Sequence, residues 1–235
     1  MRIVRKDREL EENFIAAKSE SKKSFGDDRV FIEKYIEQPR HIEIQILCDK
    51  HGNQIHLGER ECSIQRRYQK VIEECPSPFV DEDMRSEMAS QALILAKEVK
   101  YDSAGTVEFV VDSKRNFYFL EMNTRLQVEH PVTELVTGID LVEQMILSAD
   151  NKKLAIRQED IKLNGWSVES RIYAEDPTKD FLPSIGRVTR YIEPKKIEKD
   201  YEVIRNDTGI SPGSVSYTHL RAHETEADLV CRLLL

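Results

Sequence analysis

Two periodicities run along the chain. Apolar residues recur at helical spacing at Leu10, Phe14 and Ala17, and again at Met84, Met88, Ala92, Leu95 and Val99, which predicts helices over residues 7 to 26 and 81 to 100. Asp7 and Asp81 stand where a side chain can cap the first turn, and Gly26 supplies a stop. Leu141, Val142, Met145, Ile146 and Ala149 predict a helix over residues 140 to 149, preceded by a short one that Pro131 opens and Gly138 breaks. Elsewhere the period is two. Strands are expected over residues 30 to 36, 40 to 47, 54 to 59, 106 to 111, 117 to 120, 166 to 173 and 187 to 192, with turns at 37 to 39, 49 to 53 and 113 to 116.

The polar positions inside these strands carry the chemistry. Glu121, Asn123, Arg125, Gln127 and Glu129 follow Phe117-Tyr-Phe-Leu120 at a spacing of two, so on an extended chain all five project from one side. Two carboxylates, two amides and a guanidinium suit a divalent cation beside an oxyanion; the plainer reading is a surface strand of mixed charges. Glu108 is the one charge in the apolar run Thr106 to Val111, and a hairpin would bring it near Glu121. Such an oxygen-only set is what Mg²⁺ or Mn²⁺ takes when it also holds a nucleotide's phosphates. In residues 40 to 47, Ile42, Ile44 and Ile46 alternate with His41, Glu43 and Gln45, which predicts one core face and one polar face; His41 reads equally as a ligand contact and as an exposed histidine. Arg66, Arg67 and Lys70 make either an anion site or a solvated basic loop. In residues 166 to 173, Glu169 and Arg171 face away from Trp166, Val168 and Ile172.

Composition narrows the partners. The chain has 235 residues, 40 % of them hydrophobic, enough for one sizeable core or a large lobe with an appendage. With 35 basic against 43 acidic residues, a net charge of −8 and no long basic stripe, neither nucleic acid nor an anionic membrane is expected as the main partner. No apolar run approaches the roughly 20 residues that span a bilayer. Cys48, Cys62, Cys75 and Cys231 lack C-x-x-C spacing, so free thiols in a reducing compartment are expected rather than a zinc site or a disulfide framework.

Glu121-Met-Asn-Thr-Arg-Leu-Gln-Val-Glu-His-Pro-Val-Thr-Glu134 resembles the biotin carboxylase family, whose catalytic subunits or domains use an ATP-grasp fold. The likeness extends to Glu33-Lys-Tyr, Pro39-Arg-His-Ile-Glu-Ile-Gln45, Glu61-Cys-Ser-Ile-Gln-Arg-Arg67, Ala104-Gly-Thr-Val-Glu-Phe109 and Arg171-Ile-Tyr-Ala-Glu-Asp-Pro177, in order over about residues 1 to 214. It implies ATP-dependent carboxylation of biotin by bicarbonate through carboxyphosphate. By the same resemblance Glu33, His41 and Gln65 contact the nucleotide, with backbone from Lys34 and Ile36 near the adenine, and Glu108, Glu121 and Asn123 hold Mg²⁺ or Mn²⁺. Lys70, Arg125, Gln127 and the Val128 backbone bind bicarbonate, Glu129 removes its proton, and Arg171 stabilises the biotin enolate. The implied partners are bicarbonate, a biotinyl carrier domain and a carboxyltransferase subunit that chooses the acyl-CoA, within an oligomer. The implied address is the mitochondrial matrix in a eukaryote and the cytoplasm otherwise.

The expected fold is α+β: an ATP-grasp lobe over residues 1 to 150, an antiparallel sheet with helices packed on it, then the start of the biotin carboxylase C-terminal domain over residues 151 to 214. The chain contains no G-x-G, whereas the family carries a glycine-rich loop just before the segment matching Met1-Arg-Ile-Val, so a fragment is expected. Residues 215 to 235 resemble an extension on translated sequencing reads and are set outside the fold.

Overall fold

The computed structural model describes residues 2–195, 197–199, 202–216 and 227–233, with Glu198 and 227–233 as backbone only. It divides into two units, Met1–Gln38 and Pro39–Leu235. In the first, a turn of 3₁₀ helix at Asp7–Glu9 leads into α1 (Leu10–Phe25), and Gly26, at φ 75°, closes it with a hydrogen bond to the Lys22 carbonyl. Asp7 lies inside that first turn rather than capping it. The strand expected over residues 30 to 36 does not form; this stretch has the right composition but no ladder partner among the described residues, and Phe31 and Ile32 are exposed.

The second unit is built on one antiparallel sheet. Its first six strands are β1 (Arg40–Cys48), β2 (Gln54–Arg66), β3 (Gln69–Cys75), β4 (Ser103–Val111), β5 (Phe117–Asn123) and β6 (Trp166–Ile172). The lateral order is Ile197–Lys199, Glu202–Thr208, Ala227–Leu233, β6, β3, β2, β1, β4, β5. Ala227–Leu233 thus occupies an internal position, although the sequence analysis sets residues 215 to 235 aside. Of the strand expected over 187 to 192 only Arg187 pairs, in the short strand Gly186–Arg187 against Val215–Ser216; the N–H and C=O of Val188 go to the turn at Ser211–Ser214 instead.

Helices cover both faces of the central strands. On one, Ile42, Ile44, Ile46 and Cys48 of β1 and Val107, Phe109 and Val111 of β4 meet Met84, Met88, Ala89, Ala92 and Ala96 of α2 (Glu82–Glu98), whose alanines let the helix come close. Asp81 caps α2 by accepting from the Met84 N–H, as expected, but the helix stops before Val99, which is 64 % exposed. On the other face, α3 (His130–Thr137) and α4 (Leu141–Ala149) lie over Cys75, Leu47, Leu57 and Ala104. Leu141, Gln144 and Ser148 form the buried side of α4, so Val142 and Ile146 are exposed. The basic stretch, read as either an anion site or a solvated loop, is a tight hairpin: Arg67 (φ 52°) and Tyr68 (φ 65°) are both left-handed, the two-residue turn that matches sheet twist.

Asp49 ties the β1–β2 hairpin to the segment after α4. Its carboxylate accepts from the N–H groups of His51, Asn53 and Leu154 and from the Asn53 amide. These bonds outweigh the burial that would raise its pKa and hold it at about 2. Asp49→Ala is expected to lower stability by about 2 kcal/mol in thermal melts at neutral pH. The difference should vanish in acid, because a depressed carboxyl stabilises above its unfolded pKa and loses that contribution as pH falls from 3.8 towards 2.

Candidate active site

The register of the central strands lines polar side chains into rows on the face that α3 and α4 partly cover. Arg60 of β2 opposes Glu43 of β1, Glu43 opposes Glu108 of β4, and Glu108 opposes Glu121 of β5. Directly opposed residues in antiparallel strands share a face, so these four form one transverse row. Two residues along, Gln45, Thr106 and Asn123 form a second. The polar face of β1 is therefore not solvated: Glu43 and Gln45 are fully buried, and its alternation marks a core face against a buried polar site.

Two cations neutralise the rows from the sides. Arg60, with no exposed surface, reaches Glu43 Oε1 at 2.5 Å, Gln45 Oε1 at 2.6 Å, Thr133 Oγ1 at 3.0 Å, and Thr106 Oγ1 and Gln127 Oε1 at 3.1 Å. Lys70 Nζ lies 2.5 Å from Glu43, 2.6 Å from Glu129 and 3.0 Å from Glu108. Burial alone would raise the pKa of Glu43, yet the charges of Arg60 and Lys70 hold it at about 2. Glu108 is likewise held at about 2, against its burial, by His41 and Lys70. Burial pulls the Lys70 ammonium down, but Glu43, Glu129 and Glu108 more than reverse this, so it stays charged.

A second ion pair abuts the first. Glu129, just ahead of α3, also accepts from Arg171 Nη2 at 2.9 Å, and the same nitrogen stands 2.6 Å from Glu73 of β3. Glu73 opposes Glu169 of β6, and both carboxylates are fully buried. Burial outweighs the attraction of Arg171 and pushes Glu73 up to about 7.

The sequence-predicted residues divide accordingly. Glu108, Asn123, Gln127, Glu129, Lys70, Arg171 and His41 converge: Glu108 accepts from Asn123 Nδ2 at 2.9 Å and Gln127 Nε2 at 2.7 Å, and His41 Nε2 is 2.8 Å from its other oxygen. Glu121 stands opposite Glu108 in register but exposed. The extended row predicted through Glu129 ends at Asn123, because the chain then turns into α3; Gln127 and Glu129 reach the cluster from that turn. Arg125 is exposed, with a hydrogen bond from Nη1 to the Leu126 carbonyl, and Val128 is half-buried beside it. Gln65 donates to the Cys62 carbonyl. Glu33, Lys34 and Ile36 lie in the irregular stretch of the amino-terminal unit. Sequence reasoning missed Arg60, Glu43 and Glu73 as site members. The strand expected to end at Glu59 runs on to Arg66, and Arg60 reaches the face of Glu43 only through the register shift between Ile44 and Ile46, which simple alternation does not foresee.

Metal donors are present. Ligand atoms of His41, Glu43 and Glu108 lie within 4.8 Å of one another, as do those of Glu43, Cys62 and Glu129; Glu121 stands opposite Glu108 in register but outside both groups, and Asn123 turns its amide nitrogen to Glu108.

Residues 1–157 match the family described as the carbamoyl-phosphate synthase L chain, ATP binding domain, and the chain belongs to that family, in its biotin carboxylase branch. It is 60 % identical over 228 residues to the propionyl-CoA carboxylase alpha chain of Ruegeria pomeroyi, covering 91 % of this chain and 34 % of that one. It is also 60 % identical over 215 residues to the mitochondrial propionyl-CoA carboxylase alpha chain of Homo sapiens, covering 91 % of this chain and 29 % of that one. The chain thus spans about a third of the length of these relatives. Among solved structures, the biotin carboxylase domain dimer of Hydrogenobacter thermophilus 2-oxoglutarate carboxylase, in complex with MgADP, ADP and bicarbonate, superposes with a TM-score of 0.89 at 46 % identity, covering 100 % of this chain and 50 % of that one. The α+β ATP-grasp architecture expected from sequence is thereby established. No helix among the described residues is long and apolar enough to cross a membrane.

Proposed function

We propose that this chain carries the bicarbonate- and metal-facing part of the biotin carboxylase component of a propionyl-CoA carboxylase. The observation that carries this is Lys70, whose ammonium lies within 3.0 Å of three carboxylates, one of which, Glu129, is also paired with Arg171. A base beside two fixed cations is what deprotonation of bicarbonate requires: Glu129 takes the proton, and Lys70 and Arg171 hold the anion that results. Gln127 and Arg125 complete the bicarbonate contacts, and Arg171 offers a planar fork to the enolate of biotin. Glu108, Glu121 and Asn123 are the proposed ligands of Mg²⁺ or Mn²⁺, with His41 and Gln65 on the nucleotide. Bound there, the cation would neutralise developing charge on the phosphates of ATP. The choice of propionyl-CoA rests on the 60 % identity to two alpha chains. On this reading the biotinyl carrier domain and a carboxyltransferase subunit are the partners, in the mitochondrial matrix if the source is a eukaryote.

Calorimetry of ATP binding with and without Mg²⁺ tests the assignment. Glu108→Gln and Glu121→Gln are each expected to abolish the metal-dependent part of the affinity, a loss on the order of tenfold or more, because each removes one hard anionic ligand. Equal affinity in the wild type and both variants would overturn it.

A further inference from the structure

The pairing of Arg171 is incomplete in a particular way. Its Nη2 directs a hydrogen bond to Glu129 at 2.9 Å while standing 2.6 Å from Glu73 Oε1. Among the described residues, however, neither oxygen of Glu73 accepts an aligned hydrogen bond, and Arg171 Nε, also buried, finds no acceptor. The contact with Glu73 is one of charge, not of direction. Three buried polar atoms on two adjacent groups are thus left without geometry, and a buried polar atom without an aligned partner is costly. A rotation that lays the Nε–Nη2 edge of the guanidinium on Glu73 would satisfy all three bidentately, at the expense of the bond to Glu129. Two arrangements of one side chain therefore compete.

We propose that Arg171 is a two-position side chain and that Glu73 is its positioning residue, drawing the guanidinium off Glu129 when ionised and releasing it to Glu129 when protonated. The charged groups facing Glu73 are Glu169 and Arg171 from β6, Glu129 ahead of α3 and Glu43 from β1; Tyr173 and Glu169 face Arg171 from its own side. Three acids beside Glu73 disfavour its charge and one guanidinium favours it, so the balance is close. The catalytic meaning rests on the reading above: when Glu129 takes the proton of bicarbonate it loses its charge, Arg171 is no longer held there, and Glu73 draws it across. The sharing itself does not depend on that reading.

The test is an NMR titration of the chain, following the Glu73 carboxyl carbon and the Arg171 guanidinium nitrogens. In the unaltered protein the Arg171 signals are expected to step with the Glu73 titration near pH 7. In Glu73→Gln the step should disappear, and in Glu73→Asp it should return at lower pH. An Arg171 signal that stays flat through the Glu73 titration, or a step that survives in Glu73→Gln, overturns the proposal. Because the unaltered protein carries the first reading, a variant that fails to fold does not blunt the test. A failure of the carboxylase assignment appears separately, as unchanged metal-linked ATP binding in Glu108→Gln.

Discussion

Arg60→Met is expected to unfold most readily of any single substitution in the central sheet, at a cost of about 3–5 kcal/mol. Methionine fills much the same space, so the loss is not a cavity. It is the removal of one guanidinium that has no exposed surface and gives hydrogen bonds to five side chains on three elements and the turn before α3: Glu43, Gln45, Thr106, Thr133 and Gln127. Glu43 keeps Lys70, but Gln45, Thr106 and Gln127 each lose a buried donor. The melting temperature should fall by on the order of 10 °C for a unit of this size. The acid limb should move as well. Glu43, held at about 2, stabilises the fold above its ordinary value of 4.5 and loses that contribution as pH falls between the two. Without Arg60 its folded pKa rises, so less stability is lost over that range and the gap to the unaltered chain narrows as pH falls from 4.5 towards 2. The double variant Arg60→Met with Glu43→Leu should recover part of the stability, since an apolar pair of similar volume strands no charge. A fall below about 2 °C for Arg60→Met would show that the row is not held from this side.

What the amino-acid pattern disclosed and what it hid follow from the same physics. Helices 10–25, 82–98 and 141–149 were readable from their apolar periodicity, with the Gly26 stop and the Asp81 cap in agreement, although Asp7 does not cap the first. Glu108 was readable because a lone carboxylate in an apolar strand has to be paired. Glu43 and Gln45 were not, because alternation distinguishes two faces of a strand without saying whether the polar one meets water or a buried site. Residues 124 to 129 misled for a related reason: their spacing of two fits a strand, yet the segment has no partner strand and turns into α3, which delivers Glu129 to Lys70 by another route. Phe31 and Ile32 show the limit of composition, since strand formers without a neighbouring ladder stay irregular. The pairing of Glu73 with Glu169 is a matter of register between strands some ninety residues apart, which no local pattern carries.

Lys70→Met is expected to abolish the chemistry while leaving the sheet assembled. The ammonium is the common partner of Glu43, Glu108 and Glu129, and its removal leaves three buried carboxylates facing one another with Arg60, Arg171 and His41 at their outer sides. In a complete biotin carboxylase subunit carrying this segment, bicarbonate-dependent ATP cleavage should fall by about 10²- to 10⁴-fold, the range for losing a fixed cation that holds a developing anion. The stability change has a definite sign with pH. Lys70 helps hold Glu43 and Glu108 at about 2; without it their folded pKa values rise, and acids raised in the folded state favour folding more at low pH than at high. The gap in melting temperature between Lys70→Met and the unaltered chain should therefore be widest near pH 8 and narrow towards pH 5, with a larger uptake of protons on folding than the unaltered chain shows through Glu73. Activity should not recover over the same range, because protonation relieves the repulsion without restoring a cation. A gap that widens on acidification, or activity that returns at pH 5, would mean that Lys70 serves the fold through some contact other than these three carboxylates.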